Sequence, residues 1–554
     1  MNSSRSIVTL AGAGLMALSL TAFAQTRADA ERDPVLKAML TELDRSKSDL
    51  QLKDFQKPFF IQYRIEEIDN VEIKAEFGAI SDSQRTKGRI ARVTVRVGDN
   101  KTDSSSGRGD GVVEMVAFED DPVAIRSALW TATDQAYKSA LAAYAQKQAA
   151  LKQVQTPPQA DDFSKETPLI SLAEPLKLDV DQAAWEARVA RVSGLYRSEP
   201  SLQASRQDVL SSSAQFHART TTTWLVTSEG TIVRKSATGC EESFDAAEQA
   251  HDGMSLNLQH RINRSSPNDL DPPEAFEKAS IRVIAELNEL RKAPLVDEEY
   301  HGPVLLSSGS GAHVFDALMA SGFAATRPRL GTEARTNGPF ASSYHTRVLP
   351  ESFDVVDDPT LKSYNGKPLL GAYSVDDEGV PAQAVKLVVD GKLENYLVGR
   401  EPVRDFPQSN GHGRAGFTGS PTPSIGVLMV TAKNGLSDDE LNAKLLAIAK
   451  DRDLKSVYYV ATLGGKTTPK LLYRITPDGT ATGKRELVRG AMLQDLDQRA
   501  LRSNIEAAGK DLHDAEYFGD VPESVLAPAL LFDDVTIRRA NEKNDKLPFY
   551  PPPE

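Results

Sequence analysis

Residues 302–323 read Gly302-Pro-Val-Leu-Leu-Ser-Ser-Gly-Ser-Gly-Ala-His-Val-Phe-Asp-Ala-Leu-Met-Ala-Ser-Gly-Phe323. The run from Val304 to Leu306 predicts a short buried strand, and the Ser/Gly turn after it predicts the start of a helix. The apolar face of that helix carries Val314, Phe315, Leu318 and Met319. The first amides of a helix point into the turn before it and can bind an anionic group, so such a junction is a common place for a functional site. His313, in the first helical turn, makes this segment the first candidate site.

The composition is that of a globular protein. The chain has 554 residues, a net charge of -13 and 40% hydrophobic residues, enough for at least two domains. The acidic balance argues against nucleic acid as the main partner, because phosphate binding needs a basic face. Cys240 is the single cysteine, so the sequence excludes an internal disulfide and a zinc site made of several thiolates. We expect Cys240 to be a small buried side chain.

The first 24 residues have the features of a secretory signal peptide. Arg5 precedes an apolar stretch from Ile7 to Leu20, and Ala22-Phe-Ala24 supplies the small residues of a cleavage site. A membrane anchor is the alternative, but the apolar stretch is short and is interrupted by Gly and Thr. The sequence therefore predicts cleavage after Ala24 and a periplasmic or secreted protein with no membrane anchor.

Residues 25–295 are predicted to form an N-terminal α/β region. Hydrophobic periodicity predicts helices over residues 33–50, 121–152, 181–197 and 274–291. Alternating apolar and polar residues predict strands over 58–66, 73–80 and 90–97, and a hairpin within 215–237. Residues 153–165 contain two prolines and little apolar content, which predicts an exposed linker.

Residues 296–540 are predicted to form a mainly β C-terminal domain. Short strands alternate with Gly- and Pro-rich turns, and the predicted strands include 352–356, 371–374, 393–398 and 533–537. One helix, over 437–451, opens with the spacing of a capping box. Residues 541–554 read as a Pro-rich tail. The predicted fold class is therefore α+β, with an α/β N-terminal region followed by a mainly β domain.

Two polar motifs lie in the C-terminal domain. Residues 411–416 fit G-x-G-x-x-G, but prolines on both sides exclude the strand and helix that dinucleotide binding requires. In this loop His412 and Arg414 either face a ligand or a partner, or are solvated. The run Asp376-Asp-Glu-Gly-Val-Pro381 is either a polar hairpin entrance or half of a paired-carboxylate site.

Metal and nucleophile motifs are incomplete in this sequence. A helical zinc motif needs two His one turn apart, whereas the closest pair, His251 and His260, is nine residues apart. A site assembled from distant residues stays open; its candidates are His313, Asp316, His345 and His412. Ser307, Ser308 and Ser310 are better explained as a helix-capping turn than as nucleophiles.

Three segments resemble the TldD/PmbA family of metallopeptidases. They are Tyr373–Arg400, with an acidic Gly turn, a hairpin and a downstream Arg; Ser409–Arg414, a small polar loop; and Leu487–Met492, which contains Val-Arg-Gly-Ala. The resemblance covers about residues 300–538 well and the N-terminal half weakly. It implies a TldD/PmbA-like fold.

The catalytic branch of that family carries His-Glu-x-x-x-His after a Leu-Leu pair, with zinc on the two His and a later Cys. Here Leu305-Leu306 is followed by Ser307, Ser308 and, at the second His position, Ala312, with His313 one residue out of step. Residues 514–519, where the Cys would fall, contain none. The resemblance therefore implies a degenerate motif with no confident catalytic residue and no metal bound by this chain alone; His313 and His412 are weak metal candidates.

The family also has a branch without the zinc motif, whose members pair with a catalytic subunit. By resemblance, we expect an exported, non-catalytic partner of a zinc-bearing TldD-like paralogue that acts on peptides, as a homo- or heterodimer with zinc held by the partner. The alternatives are an active metallopeptidase with a relocated metal site and a peptide-binding protein without hydrolysis. The cleft candidates are Asp377, Glu378, Gly379, Arg400, His412 and Arg414.

Overall fold

The computed structural model describes residues 25–105, 110–154, 160–465 and 467–540. The predicted signal peptide (1–24) and Pro-rich tail (541–554) lie outside these ranges. The described chain has an α+β fold, as predicted, built on two large sheets. No helix in the described part of the chain combines the length and apolarity needed to span a bilayer.

Seven described strands form the N-terminal sheet. They are β1 (Phe60–Glu76), β2 (Ala79–Arg96), β3 (Val112–Met115), β4 (Ile170–Leu172), β5 (Val209–Thr227), β6 (Ile232–Gln249) and β7 (Ser255–Arg264). The order is β3-β2-β1-β5-β6-β4, and β7 also pairs with β6. The prediction of separate strands at 58–66 and 73–80 is wrong, because the single strand β1 contains most of both ranges. The polar residues between them stay in β1 because β1 pairs along its length with both β2 and β5.

The four helices predicted in this region are present, but the one predicted over 181–197 is divided in two, and a short helix at Arg27–Ala30 was not predicted. The helices are α1 (Arg27–Ala30), α2 (Pro34–Asp49), α3 (Pro122–Leu151), α4 (Gln182–Ser193), α5 (Leu195–Ser198) and α6 (Pro273–Lys292). Asp33 caps α2 by accepting the N–H groups of Val35 and Leu36. Asp121 caps α3 in the same way, with Pro122 at its first position. Each cap satisfies amides that have no partner within the helix.

The two faces of the N-terminal sheet differ in chemistry. On β1 the alternate residues Ile61, Tyr63 and Ile65 pack with α2 and α3 in an apolar core. Successive strand residues point to opposite faces, so Arg64 and Glu66 lie on the other side. That face is also buried: the Arg64 guanidinium Nη2 donates to the carbonyl of Gly419 in the C-terminal domain, at 2.6 Å. We call it the polar face.

The C-terminal domain contains fifteen described strands. They are β8 (Glu299–Leu306), β9 (Phe353–Asp357), β10 (Ser363–Tyr364), β11 (Lys367–Pro368), β12 (Val385–Val389), β13 (Lys392–Leu393), β14 (Gly413–Arg414), β15 (Thr422–Pro423), β16 (Val427–Ala432), β17 (Val457–Gly464), β18 (Thr468–Thr476), β19 (Lys484–Val488), β20 (Ala491–Leu493), β21 (Ile505–Tyr517) and β22 (Glu523–Arg539). Eleven of them form one mixed sheet in which β22 pairs with β8, β16, β20 and β21.

Helices α7 (Ser308–Phe315), α8 (Ser321–Phe323), α9 (Asp438–Asp451) and α10 (Gln498–Ser503) complete this domain. The capping box predicted at Ser437 and Glu440 is present. Three strand predictions are wrong in extent: 371–374 forms turns, 393–398 is a strand only at its start, and 533–537 is part of the longer β22. The sequence interpretation missed β21.

Two local predictions concern buried positions. Cys240 is fully buried, as predicted, and its thiol donates to the carbonyl of Arg264 at 3.3 Å. The exposed linker over 153–165 is wrong in its second half, where Asp162, Phe163 and Ser164 are buried. Phe163 is held there because its ring stacks against two guanidinium groups, described below.

Candidate functional site

The β8–α7 junction has the predicted strand–turn–helix form. Ser307 is the N-cap residue of α7, and its hydroxyl accepts the N–H of Ser310 at 3.1 Å. The same hydroxyl donates to the carbonyl of Ala461 at 2.8 Å. Ala312 is fully buried and has no polar side-chain atom. The junction is therefore closed by its own hydrogen bonds, as a capping turn.

His313 and His513 lie at this junction without forming a site together. The ring of His313 hydrogen-bonds the backbone carbonyl of Gly465. On β21, the Nε2 of His513 lies 3.6 Å from the place where a Cβ on Gly309 would stand. His513 was not singled out from the sequence, because nothing in the sequence of β21 shows that it packs against α7.

The donor set at this junction does not suit zinc. Ser307, Ser308 and Ala312, which the resemblance aligns with the His-Glu-x-x-x-His motif, offer neither an imidazole nor a carboxylate. Within residues 25–540, apart from the three internal gaps, no three His, Cys, Asp or Glu side chains group to hold a metal ion. His345 bonds Glu394 instead, at 2.7 Å. The distant set considered from the sequence is therefore not brought together.

The acidic turn, residues 376–379, is pinned by hydrogen bonds. Asp376 Oδ1 accepts the N–H groups of Glu378 and Val380 at 3.0 and 2.8 Å. Its other oxygen accepts the N–H of Gly413 at 2.9 Å. Gly379 has a φ of +82°, the left-handed conformation that favours glycine. The acidic turn therefore holds the polar loop 409–416 in contact with the turn.

Asp377 and Glu378 extend from this turn in different directions. Asp377 Oδ1 pairs with Lys235 of β6 at 2.7 Å, and its Oδ2 accepts the N–H of Ala415 at 2.8 Å. Glu378 Oε2 accepts the backbone N–H of Arg400 at 2.6 Å. A Cβ on Gly413 would lie 2.1 Å from that same oxygen, so any side chain at this position would displace Glu378. The turn thus joins both halves of the chain.

The three carboxyl groups of the turn are in different electrostatic environments. Burial raises the pKa of Asp376. Burial and the neighbouring charge of Asp376 raise the pKa of Glu378, so this carboxyl tends to keep its proton. Burial also acts on Asp377, but Lys235 and Arg64 outweigh it and the pKa of Asp377 is lowered. The pKa values of the neighbouring carboxyls Asp377 and Glu378 are therefore shifted in opposite directions.

Arg400 is the largest polar group beside the turn, and only 2% of it is exposed. Its Nη1 and Nη2 donate to the two oxygens of Glu229 at 2.8 and 3.1 Å. Nη2 also donates to the carbonyl of Ser164 at 2.7 Å. Its Cζ lies 4.0 Å from the ring centroid of Phe163. Arg400 therefore ties the C-terminal domain to the N-terminal region.

His412 and Arg414 are internal, in contrast to the ligand-facing or solvated loop considered from the sequence. His412 is fully buried, with Nε2 3.0 Å from Asp357 Oδ1. Arg414 Nη1 donates to the carbonyl of Ile425 at 2.7 Å, and its guanidinium lies over Tyr373. Both side chains are occupied in holding the loop. The structure brings Asp377, Glu378, Gly379 and Arg400 together and leaves His313 at the separate α7 junction.

A cavity of about 330 Å³ opens beside Glu378 and Arg400. Its other walls are the polar face of the N-terminal sheet and loops of the C-terminal domain. Sequence reasoning missed Phe163, Glu229 and Lys235, which are essential to this arrangement. A lone aromatic residue in a polar linker was a weak signal for Phe163. For Glu229 and Lys235 the sequence gave no signal, because their partners are more than 100 residues away.

Comparisons with known proteins find similarity to the same family that the three sequence segments resemble. Residues 299–539 match the PmbA/TldA metallopeptidase C-terminal domain. A metalloprotease of Archaeoglobus fulgidus is 32% identical over 127 residues, which are 23% of this chain and 26% of that protein. A metalloprotease TldD homolog of Buchnera aphidicola is 29% identical over 139 residues, 24% of this chain and 27% of the relative. The chain thus spans about a quarter of the length of these curated relatives.

The fold extends the similarity beyond the matched domain. The crystal structure of TldE from Thermococcus kodakarensis superposes with a TM-score of 0.57 at 14% identity. The superposition covers 90% of this chain and 99% of that structure, so both regions share its fold. Residues 299–539 therefore belong to the PmbA/TldA metallopeptidase C-terminal domain family, and the described chain as a whole has the fold of TldE.

Proposed function

We propose that this protein is an exported, catalytically silent subunit that pairs with a zinc-bearing PmbA/TldD homologue and acts with it on peptides. The partner supplies the metal and the water-activating carboxylate. This chain supplies a folded surface that shapes substrate access. The leader-like segment ending at Ala24 supports export.

One observation carries the proposal: the β8–α7 junction keeps its fold while its side chains lack metal-ligand chemistry. Leu305 and Leu306 stay in β8, and α7 begins directly after Ser307. Serine at the cap completes the helix start without any metal. A metal-dependent hydrolase needs a Lewis acid and a base at this place, and neither comes from these residues. The reaction therefore requires a second chain.

The experiment measures zinc by plasma mass spectrometry in the purified mature chain, alone and co-expressed with a homologue that has an intact His-Glu-x-x-x-His motif. We expect no stoichiometric zinc in the lone chain and a ratio of about one zinc to two chains in the co-purified pair. Peptide hydrolysis by the pair should stop after chelation.

A zinc content near one per lone chain would overturn the proposal. Loss of that zinc in His313→Ala, but not in the control His345→Ala, would then identify a relocated site at α7. Failure of any homologue to co-purify would also contradict the subunit role.

A further inference from the structure

Four Asn-Gly pairs occur in the sequence, at residues 337–338, 365–366, 410–411 and 434–435. An asparagine before glycine is prone to lose ammonia spontaneously, because the small glycine lets its own backbone nitrogen approach the asparagine side chain closely. Both reacting groups must first leave their native contacts, and the free energy of such local opening varies across a structure. The fold therefore decides which of the four pairs reacts.

Asn410 is the most tightly held of the four asparagines. Its Nδ2 donates to the carbonyl of Tyr396 at 2.8 Å, and its Oδ1 accepts the N–H of Val398 at 2.8 Å. The N–H of Gly411, whose nitrogen would have to attack, donates to the Ser409 hydroxyl at 3.1 Å. Both reacting groups are therefore engaged, and these hydrogen bonds must break before the reaction can start.

Asn337 and Asn434 are restrained in different ways. The Nδ2 of Asn337 donates to the carbonyl of Arg327 at 2.7 Å. The side chain of Asn434 is exposed, but the glycine after it is packed: a Cβ on Gly435 would lie 2.6 Å from the Cα of Lys510 in β21. Close packing of two backbone segments resists rotation of the peptide group between them. The first pair is thus restrained at the side chain and the second at the glycine.

Asn365 has neither restraint. With Gly366 it forms the two-residue turn between β10 and β11, and the two residues have φ values of +47° and +78°, as a type I′ turn requires. Both residues are exposed. No described residue bonds the side chain of Asn365 or the N–H of Gly366. A Cβ on Gly366 would have nothing within 4 Å. Both reacting groups are therefore free at the surface.

We propose that Asn365 is the principal deamidation site of this protein. The backbone nitrogen of Gly366 attacks the Cγ of Asn365. The new N–Cγ bond forms, the Cγ–Nδ2 bond breaks, and ammonia leaves with the proton that the nitrogen of Gly366 gives up. Water then opens the succinimide ring at Cγ to give Asp, or at the main-chain carbonyl carbon to give isoaspartate. The proposal goes beyond the subunit role, because the reaction needs neither a metal nor a partner.

The two products differ in their effect on the hairpin. Asp can adopt the positive φ of this position, as Asn does. Isoaspartate adds a carbon to the main chain, so the two-residue turn that aligns Tyr364 with Lys367 no longer closes. Tyr364 packs against a small apolar cluster that includes Leu369 and Leu526. Isoaspartate should therefore release this hairpin from the cluster and speed hydrogen exchange at its amides.

The test is peptide mapping by mass spectrometry of the mature chain, residues 25–554, sampled during incubation at mildly alkaline pH. All four pairs are followed in the same protein, so three of them are internal controls. We expect deamidation to be fastest at Asn365 and at least about 10-fold slower at Asn410, where two side-chain hydrogen bonds must first break. Asn337 and Asn434 should fall between them. Electron-transfer fragmentation distinguishes Asp from isoaspartate at each position.

A second incubation, in concentrated urea, separates the effect of structure from that of sequence. The four rates should converge there, because the native contacts that restrain three of the pairs are gone. In the folded chain, Gly366→Ala should remove most of the deamidation at Asn365, because the added methyl group hinders the attack. The other three pairs should react as before. Thermal unfolding checks that the variant is folded.

A folded chain in which Asn365 does not react, or reacts no faster than the other three asparagines, would overturn the inference. A ranking that persists unchanged in urea would also overturn it, because the selection would then come from the sequence alone. These outcomes do not bear on the proposed function, which the zinc content of the co-purified pair decides independently.

Discussion

The α7 junction and the acidic turn differ in what their side chains do. At α7, Ser307 and Ala312 complete a helix start with local hydrogen bonds and apolar packing. At the acidic turn, Asp377 pairs with Lys235 from the distant strand β6, and Glu378 accepts the backbone N–H of Arg400 and borders a cavity. A capped strand–turn–helix forms with simple side chains, whereas a buried charged contact needs particular partners. The same fold therefore contains a junction at α7 without charged ligand groups and an acidic turn with several buried charged groups.

The largest expected effect is at the charged region. Arg400→Met should lower the free energy of unfolding by about 3 kcal/mol, because it leaves Glu229 without its buried partner. Urea denaturation at neutral pH measures this change. The matched control is Arg347→Met, whose surface pair with Glu351 should contribute less than about 1 kcal/mol. A loss in Arg400→Met as small as that expected for the surface control would show that the buried contact does not stabilise the fold.

A second prediction uses pH to probe the polar face that meets the acidic turn. Burial raises the pKa of Glu66 to about 7, against the opposing charge of Arg64. The folded state then binds more protons than the unfolded state between the ordinary carboxyl pKa and about 7, so stability falls as pH rises through this window. Above it, the ionised buried group remains a cost.

Glu66→Gln should therefore flatten the pH dependence and raise stability at pH 8 by about 1–3 kcal/mol. Urea denaturation at a series of pH values gives both curves. Glu76→Gln, at the exposed end of the same strand, serves as the control. A variant curve parallel to that of the unchanged protein would refute this account of Glu66.

The sequence predicted the helices and strands with strong local signals. Asp33 and Asp121 cap the predicted helices, and the hairpin around Glu229 occurs where alternation places it. Residues 67–72 fall between two predicted strands but stay in β1, because pairing on both sides compensates for their polarity. Local pattern cannot show such tertiary support.

The candidate site was predictable only in part, for a related reason. The resemblance selected Glu378 and Arg400, and the structure places them in contact. It could not show that His412 is fully buried, or that Phe163 stacks against Arg400. These outcomes depend on segments far apart in the chain, whose relative positions periodicity and spacing do not encode.

The smallest expected effect is at α7, and it tests whether that region is only structural. Ser307→Ala removes the side chain that accepts the N–H of Ser310, and should lower the free energy of unfolding by about 1 kcal/mol. Ser308→Ala, one position inside the helix, should change it by less than about 0.5 kcal/mol. Because the cap has no chemical role in our account, neither variant should alter the zinc content of the co-purified pair. A loss of zinc from the pair with folded Ser307→Ala would show that the α7 junction has a role beyond capping its helix, and would end the distinction between the two regions.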